Sequence, residues 1–204
     1  SMHTGFAISI AWPETLCKQA GAWYDTLMNT LGFSKDNYYK VGHAAVVLVE
    51  IQTGNCHYFD FGRYHAPFGQ GRVRDRETDH DLQIYSQAQI STSGNELLNF
   101  REILVELTEN KACHGSGTLH ASYTKINFEK AFSIAKKMQD MSPLKYGPFV
   151  IQGTNCSRFV RTIVLSGNPP IFDKLKLFAP LTISPSPIGN VNSLRNKIAL
   201  IQDH

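Results

Sequence analysis

The chain has 204 residues, of which 42% are hydrophobic and 18% charged, and its net charge is +3 at neutral pH. This length and apolar content suit one domain with a sizeable core and exclude a disordered chain. The mild positive charge comes without a Lys/Arg block, so neither nucleic acid nor anionic lipid is predicted as a partner. No apolar run approaches the roughly 18 residues of a membrane-spanning helix.

The cysteines give no sign of a disulfide framework or a structural zinc site. They are Cys17, Cys56, Cys113 and Cys156, and no two have the CxxC spacing. We therefore expect reduced thiols and no metal or cofactor. The N-terminal residues contain no basic segment followed by an apolar one, which predicts a cytoplasmic protein unless a leader was removed.

The first forty residues predict a strand followed by a helix. Phe6–Ala11 is a short apolar run of the kind that forms strands. The apolar residues of Leu16–Leu31 are spaced like one face of a helix, and Gly32 is a suitable residue to end it.

A β-hairpin is predicted next, and its register decides which side chains share a face. Ala44–Ile51 and Cys56–Phe61 are β-type runs on either side of a Thr-Gly-Asn turn. With a two-residue loop, His43 shares a face with Asp60 because cross-strand partners then have an odd sum. His57 would point the other way. A three-residue loop would reverse this and favour His57.

The rest of the chain predicts alternating helices and strands before a wrapping tail. The predicted elements are a loop over Pro67–Asp81, strands over Leu82–Ile90 and Leu119–Ile126, and helices capped by Asn99 and Asn127. Residues 169–204 contain several prolines among short apolar pieces, and we expect strands and loops that wrap a single domain spanning residues 2–204.

Two polar clusters have simple interpretations. Cys113, His114 and His120 could ligate a metal, but without a clear fourth ligand they are better read as loop residues. Acidic residues interrupt the run of Arg72, Arg74 and Arg76, which therefore predicts a mixed surface.

The stretch GTNCSRFVRTIVL, residues 153–165, combines a clear helix with a reactive side chain. The helical stripe consists of Cys156, Phe159, Val160, Ile163 and Val164. Thr154 or Asn155 can serve as the N-cap. Cys156 then lies in the first turn, where unpaired N–H groups and the helix dipole stabilise a thiolate. Tyr146 and the Cys156 N–H are candidate donors to an oxyanion.

Three residues provide the groups that a thiol hydrolase requires. Cys156 would supply the thiolate, His43 the imidazole that moves the proton, and Asp60 the polar group that orients the ring. The alternative is that these are scattered His and Cys residues that only pack.

The segments GTNCSRFV, GHAAVVLV and FDFG resemble the permuted papain-like superfamily. This superfamily includes NlpC-type amidases and lecithin:retinol acyltransferase-like enzymes, and the segments are also similar to bacterial Lnb-type domains. The resemblance covers Gly42–Tyr64 and Gly153–Val164. It implies an α+β fold in which an antiparallel sheet packs against the Cys-bearing helix. It also implies an active site at Cys156 and His43. Asp60 is the better match for the third residue, and His57 is the alternative because many acyltransferase members use a second His.

The implied function is a cysteine hydrolase, an amidase or peptidase that cleaves a peptide or peptidoglycan-fragment amide through a thioester. A small peptide-like or acyl substrate is the one partner expected, and the sequence says nothing about oligomeric state. Two alternatives stay open: a thiol acyltransferase or lipid ester hydrolase, and a non-catalytic binding module on the same scaffold.

Overall fold

A computed structural model describes residues 2–18, 34–35, 38–40, 42–67, 69–145, 155–178, 187–192, 194 and 197–200. These residues form an α+β fold built on a seven-stranded antiparallel sheet. This confirms the predicted α+β class. No helix in the described ranges has both the length and the apolar character needed to cross a membrane.

The large sheet has the strand order β10-β8-β1-β5-β6-β7-β9, and β2, β4 and β3 form a second, small sheet. The strands are β1 Gly5–Trp12, β2 Leu16–Lys18, β3 Ser34–Lys35, β4 Tyr38–Lys40, β5 His43–Glu50, β6 Cys56–Gly62, β7 Gln70–Arg74, β8 Leu119–Ile126, β9 Leu144–Lys145 and β10 Ile198–Leu200. The α-helices are α1 Phe100–Glu109, α2 Phe128–Asp140, α3 Cys156–Ser166, α4 Ile171–Phe178 and α5 Pro187–Asn192, with 3₁₀ turns at His80–Leu82 and Lys111–Cys113.

Both faces of the large sheet are buried, which explains the near-continuous apolar run in β5. Ala45, Val47 and Val49 belong to the core cluster that includes α1 residues. Ala44, Val46 and Leu48 belong to the cluster that includes residues of α2 and α3. The predicted apolar stripe of α3 is confirmed, because Phe159, Val160, Ile163 and Val164 are all fully buried.

The β5–β6 hairpin has the register parity expected for a two-residue loop, but its loop is longer. Ala45 pairs with Asp60 and Leu48 pairs with His57, so the cross-strand sum is odd. The loop has four residues, 51–54, since the Glu50 N–H donates to Asn55 O at 3.0 Å. Two-residue and four-residue loops place side chains on the same faces because both are even in length.

Two predictions in the first half of the chain are wrong. The helix predicted over Leu16–Leu31 does not begin at Leu16, because Leu16–Lys18 pairs with β4 as a strand. Residues 19–33 lie outside the described residues. The segment Pro67–Asp81, predicted to be a loop, contains strand β7, because these residues pair with the edge of β6.

Two predictions in the second half are also wrong. Leu82–Ile90 is not a strand. Its backbone N–H groups donate to other segments instead, and those of Tyr85 and Ser86 donate to the Glu106 carboxylate. The described part of the tail holds two helices that were not predicted, α4 and α5, together with one strand, β10. Long-range contacts decided both regions, since local pattern is a weak guide to such segments.

Candidate active site

Cys156 is the first residue of α3, and its position depends on the cap that precedes it. The Asn155 Oδ1 accepts a hydrogen bond from the Arg158 N–H at 2.9 Å. The alternative cap, Thr154, lies outside the described residues, as does Tyr146. Asn155 therefore fixes the start of the helix and leaves Cys156 in the first turn. Cys156 is 8% exposed there.

His43 is the first residue of β5 and is only 5% exposed. Its cross-strand partner on β1 is Trp12, whose indole stacks on the imidazole with ring centroids 5.6 Å apart and an interplanar angle of 11°. The stacked indole therefore favours one plane for the His43 ring.

Three side chains lie around the His43 ring. Asp60 Oδ2 lies 3.3 Å from Nε2, and the Tyr64 hydroxyl lies 3.3 Å from the same atom. The Cys156 thiol is also a hydrogen-bonding neighbour of the ring. The structure thus brings Cys156, His43 and Asp60 together.

Asp60 is fully buried and has two further partners besides His43. The Tyr58 hydroxyl donates to Oδ2 at 2.8 Å. Arg74 donates through Nε to Oδ1 at 2.9 Å and through Nη2 to Oδ2 at 2.6 Å. A buried carboxylate with this set of donors is fixed in place.

Arg74 is a site residue that the sequence reading missed. The interrupted run of arginines predicts a mixed surface, but Arg74 is 3% exposed and is the direct cross-strand partner of Asp60. The available signal was the alternation of Arg72, Val73 and Arg74, which is typical of a strand. Without the pairing of β7 to β6, that signal does not identify Asp60 as the partner.

The contacts between His43 and its neighbours change the pKa values of His43 and Asp60. Burial by itself would lower the pKa of His43, but the hydrogen bonds to Asp60 and Cys156 outweigh it and raise this pKa from 6.5 to about 9. Burial would raise the pKa of Asp60, but hydrogen bonds from His43 and Arg74 lower it from 3.8 to about 2. At neutral pH the site therefore holds the Asp60 carboxylate beside the His43 imidazolium.

A sequence model of the TseH-like type VI secretion system effectors matches residues 7–169, a segment that includes Cys156, His43 and Asp60. The chain belongs to this family. Among solved structures, the crystal structure of the type VI secretion system effector TseH is similar, with a TM-score of 0.60 and 20% identity over 96% of this chain and 90% of that one. Comparison with curated protein sequences found no match.

His57 of this TseH-like chain does not reach the site. It lies on the opposite face of the hairpin from His43, opposite Leu48, and its ring contacts those of Phe128 and Phe132 with centroids 5.5 and 5.3 Å away. Burial lowers the pKa of His57. Its surroundings are those of a packed aromatic side chain.

The other described thiols of the TseH-like chain differ from Cys156 in their surroundings. Burial raises the pKa of both Cys56 and Cys113 to about 12. The side chain of Cys17 lies outside the described residues. Within the part of the chain that the structure describes, no three His, Cys, Asp or Glu side chains are grouped so as to hold a metal ion, and Cys113, His114 and His120 form no such group.

Proposed function

We propose that this TseH-like protein is an effector that acts as a cysteine hydrolase, with Cys156 as nucleophile, His43 as acid and base, and Asp60 as the residue that orients His43. The contact between Cys156 at the head of α3 and His43, whose Nε2 is held by buried Asp60, carries the proposal. The proposal includes a permuted papain-like topology. Two features support this topology: the His-bearing strand precedes the Cys-bearing helix in the chain, and that helix packs on the antiparallel sheet.

The first half of the reaction forms a thioester. The Cys156 thiolate attacks the carbonyl carbon of the substrate and forms the C–S bond, while the carbonyl oxygen becomes an oxyanion. The Cys156 N–H, at the start of α3, can stabilise this charge because the first N–H groups of a helix have no partner within it. His43 then gives its proton to the leaving amine as the C–N bond breaks.

The second half regenerates the thiolate. Neutral His43 takes a proton from a water molecule, whose oxygen attacks the thioester carbon. The C–S bond breaks, the acid product leaves, and the Cys156 thiolate and the His43 imidazolium are restored. In this scheme Asp60 accepts a hydrogen bond from Nε2 throughout and so orients the His43 ring.

The substrate class that we propose is an amide of a peptide or a peptidoglycan fragment. Transfer of the acyl group to an acceptor other than water, or hydrolysis of a lipid ester, would use the same first step. The low exposure of Cys156 and His43, 8% and 5%, favours a second candidate, a binding module that keeps the scaffold without turnover. The cytoplasmic location and the single domain over residues 2–204 stay predictions.

Selective alkylation tests the proposal. Iodoacetamide near neutral pH is expected to label Cys156 stoichiometrically and much faster than Cys17, Cys56 or Cys113, with peptide mapping by mass spectrometry as the readout. Cys156→Ser should remove the fast phase and His43→Gln should slow it. Equal, slow labelling of all four thiols would favour the binding module. Purified protein should then release new amino groups from peptidoglycan fragments or peptides, and Cys156→Ser should not.

A further inference from the structure

Both groups that contact Nε2 of His43 are held by one guanidinium, that of Arg74. Asp60 Oδ2 and the Tyr64 hydroxyl each lie 3.3 Å from this nitrogen. Neither is fixed by His43 alone, since a single hydrogen bond leaves a side chain free to rotate. The position of both depends on what holds them from the far side.

Arg74 binds Asp60 in the plane of its guanidinium. Two parallel bonds, Nε to Oδ1 at 2.9 Å and Nη2 to Oδ2 at 2.6 Å, give the paired geometry that fixes a carboxylate in orientation as well as in distance. A third bond from Nη2 to the Ala112 carbonyl, at 3.1 Å, ties the guanidinium to the loop on the other side of the site. The Arg74 head group is therefore immobilised by three acceptor atoms.

The face of the same guanidinium lies against Tyr64. The Arg74 Cζ is 3.5 Å from the centre of the Tyr64 ring, which is a close cation–π contact. The Tyr64 ring also stacks on His114, with centroids 5.2 Å apart and an interplanar angle of 23°. Tyr64 is thus held by ring contacts on Arg74 and His114, and its hydroxyl is directed to His43.

We propose that Arg74 is a positioning residue of this site, one that sets the surroundings of His43 Nε2 by holding Asp60 through its edge and Tyr64 through its face. The inference rests on the proposed function for its catalytic meaning. Its physical content, the control of His43 by Arg74, can be measured whether or not the protein turns over a substrate.

Arginine suits this role for a reason that lysine does not share. A planar guanidinium can donate two parallel bonds in its plane and stack by its face at once, whereas an ammonium is a compact point charge without such a plane. Arg74→Lys therefore separates the two properties, because it keeps the charge and loses the geometry. Arg74→Met removes both while keeping much of the side-chain length.

The charges around His43 give the direction of the expected change. The titratable and charged groups that face the ring or its partners are Cys156 from α3, Asp60 and Tyr58 from β6, Arg74 from β7, Tyr64 after β6, and His114 with Cys113 from the loop before β8. Arg74 neutralises part of the Asp60 charge. Its removal leaves Asp60 with His43 as its charged partner, beside the neutral Tyr58 hydroxyl, which favours the imidazolium.

The test is the titration of His43 by NMR, with its ring signal assigned by comparison with His43→Gln. Arg74→Met is expected to raise the pKa of His43 by about one unit. Arg74→Lys should leave this pKa near its wild-type value but slow the alkylation of Cys156 by about tenfold, because the orientation of the ring is lost. Arg76→Gln, a change at an exposed residue two positions further along the chain, should alter neither quantity.

The inference is overturned if folded Arg74→Met titrates like the wild type, or if Arg74→Lys retains the wild-type alkylation rate. Where Arg74→Met does not fold, the Arg74→Lys result decides. A merely structural Arg74 would lower the melting temperature of both variants without moving either quantity. Failure of the proposed function is a separate outcome, an unreactive Cys156 in the wild type, and the His43 titration still reports on Arg74 in that case.

Discussion

His43 and Asp60 occupy one face of the β5–β6 hairpin, with 3.3 Å between Nε2 and Oδ2. The pair is buried, so its protonation is coupled to the folding of the chain as well as to any chemistry at Cys156. His43 should therefore lower the stability of the fold at high pH, and Asp60 should lower it at low pH.

The stability of the fold should depend on pH at both ends. His43 has a raised pKa, so its contribution is full below pH 6.5 and is lost as pH rises through about 9. Asp60 has a lowered pKa, so its contribution is full above pH 3.8 and is lost as pH falls through about 2. Melting temperatures across this range should show the loss between pH 6.5 and 9 in the wild type. His43→Gln should lack that alkaline decline, and an unchanged decline would contradict the assignment to His43.

His57→Gln should separate the two candidate orienting residues. His57 packs on Phe128 and Phe132 away from the site, so the substitution is expected to reduce stability by about 1 kcal/mol through lost ring contacts. The rate of Cys156 alkylation should stay at the wild-type value. Asp60→Asn is the comparison, and it should slow alkylation while leaving Arg74 as a buried charge without its carboxylate. Slower alkylation in His57→Gln would return His57 to the site.

Asn155→Ala tests how the helix cap places Cys156, and Asn127→Ala is its matched control. Each asparagine caps a helix through its Oδ1, Asn155 to the Arg158 N–H at 2.9 Å and Asn127 to the Lys130 N–H at 3.0 Å. Each substitution should cost about 1 kcal/mol of unfolding free energy by denaturant titration. Only Asn155→Ala should also slow alkylation of Cys156. Equal effects of both variants on alkylation would mean that general stability, rather than the position of the thiol, sets the rate.

Gly115→Ala tests whether Trp12 holds the His43 ring. A Cβ at Gly115 would overlap the indole of Trp12, and this indole stacks on the His43 ring. The substitution is expected to destabilise the fold by about 1–3 kcal/mol and to slow alkylation of Cys156. The double variant Trp12→Leu/Gly115→Ala has no such overlap. Its loss of unfolding free energy should therefore be smaller than the sum of the losses in the two single variants. Additive effects would show that Gly115 acts independently of Trp12.

The sequence by itself determined the features that depend on local periodicity. The stripe from Cys156 to Val164 predicted α3. Asn127 was predicted as a cap and Asn155 was one of two candidates, and both side chains accept from the N–H three residues later. The shared face of His43 and Asp60 followed from the sequence only if the loop had an even number of residues, since a three-residue loop would have favoured His57. Side chains alternate along a strand, so any loop of even length gives the same result, including the four-residue loop that is present.

Only the tertiary structure decided the contacts between distant segments. These contacts join elements far apart in the chain: Cys156 with His43, Arg74 with Asp60, and Trp12 with His43. No local sequence pattern specifies which strand lies beside which. The same holds for Leu82–Ile90 and for the tail. Their short apolar runs suit several conformations, and the partners available in the folded chain select one.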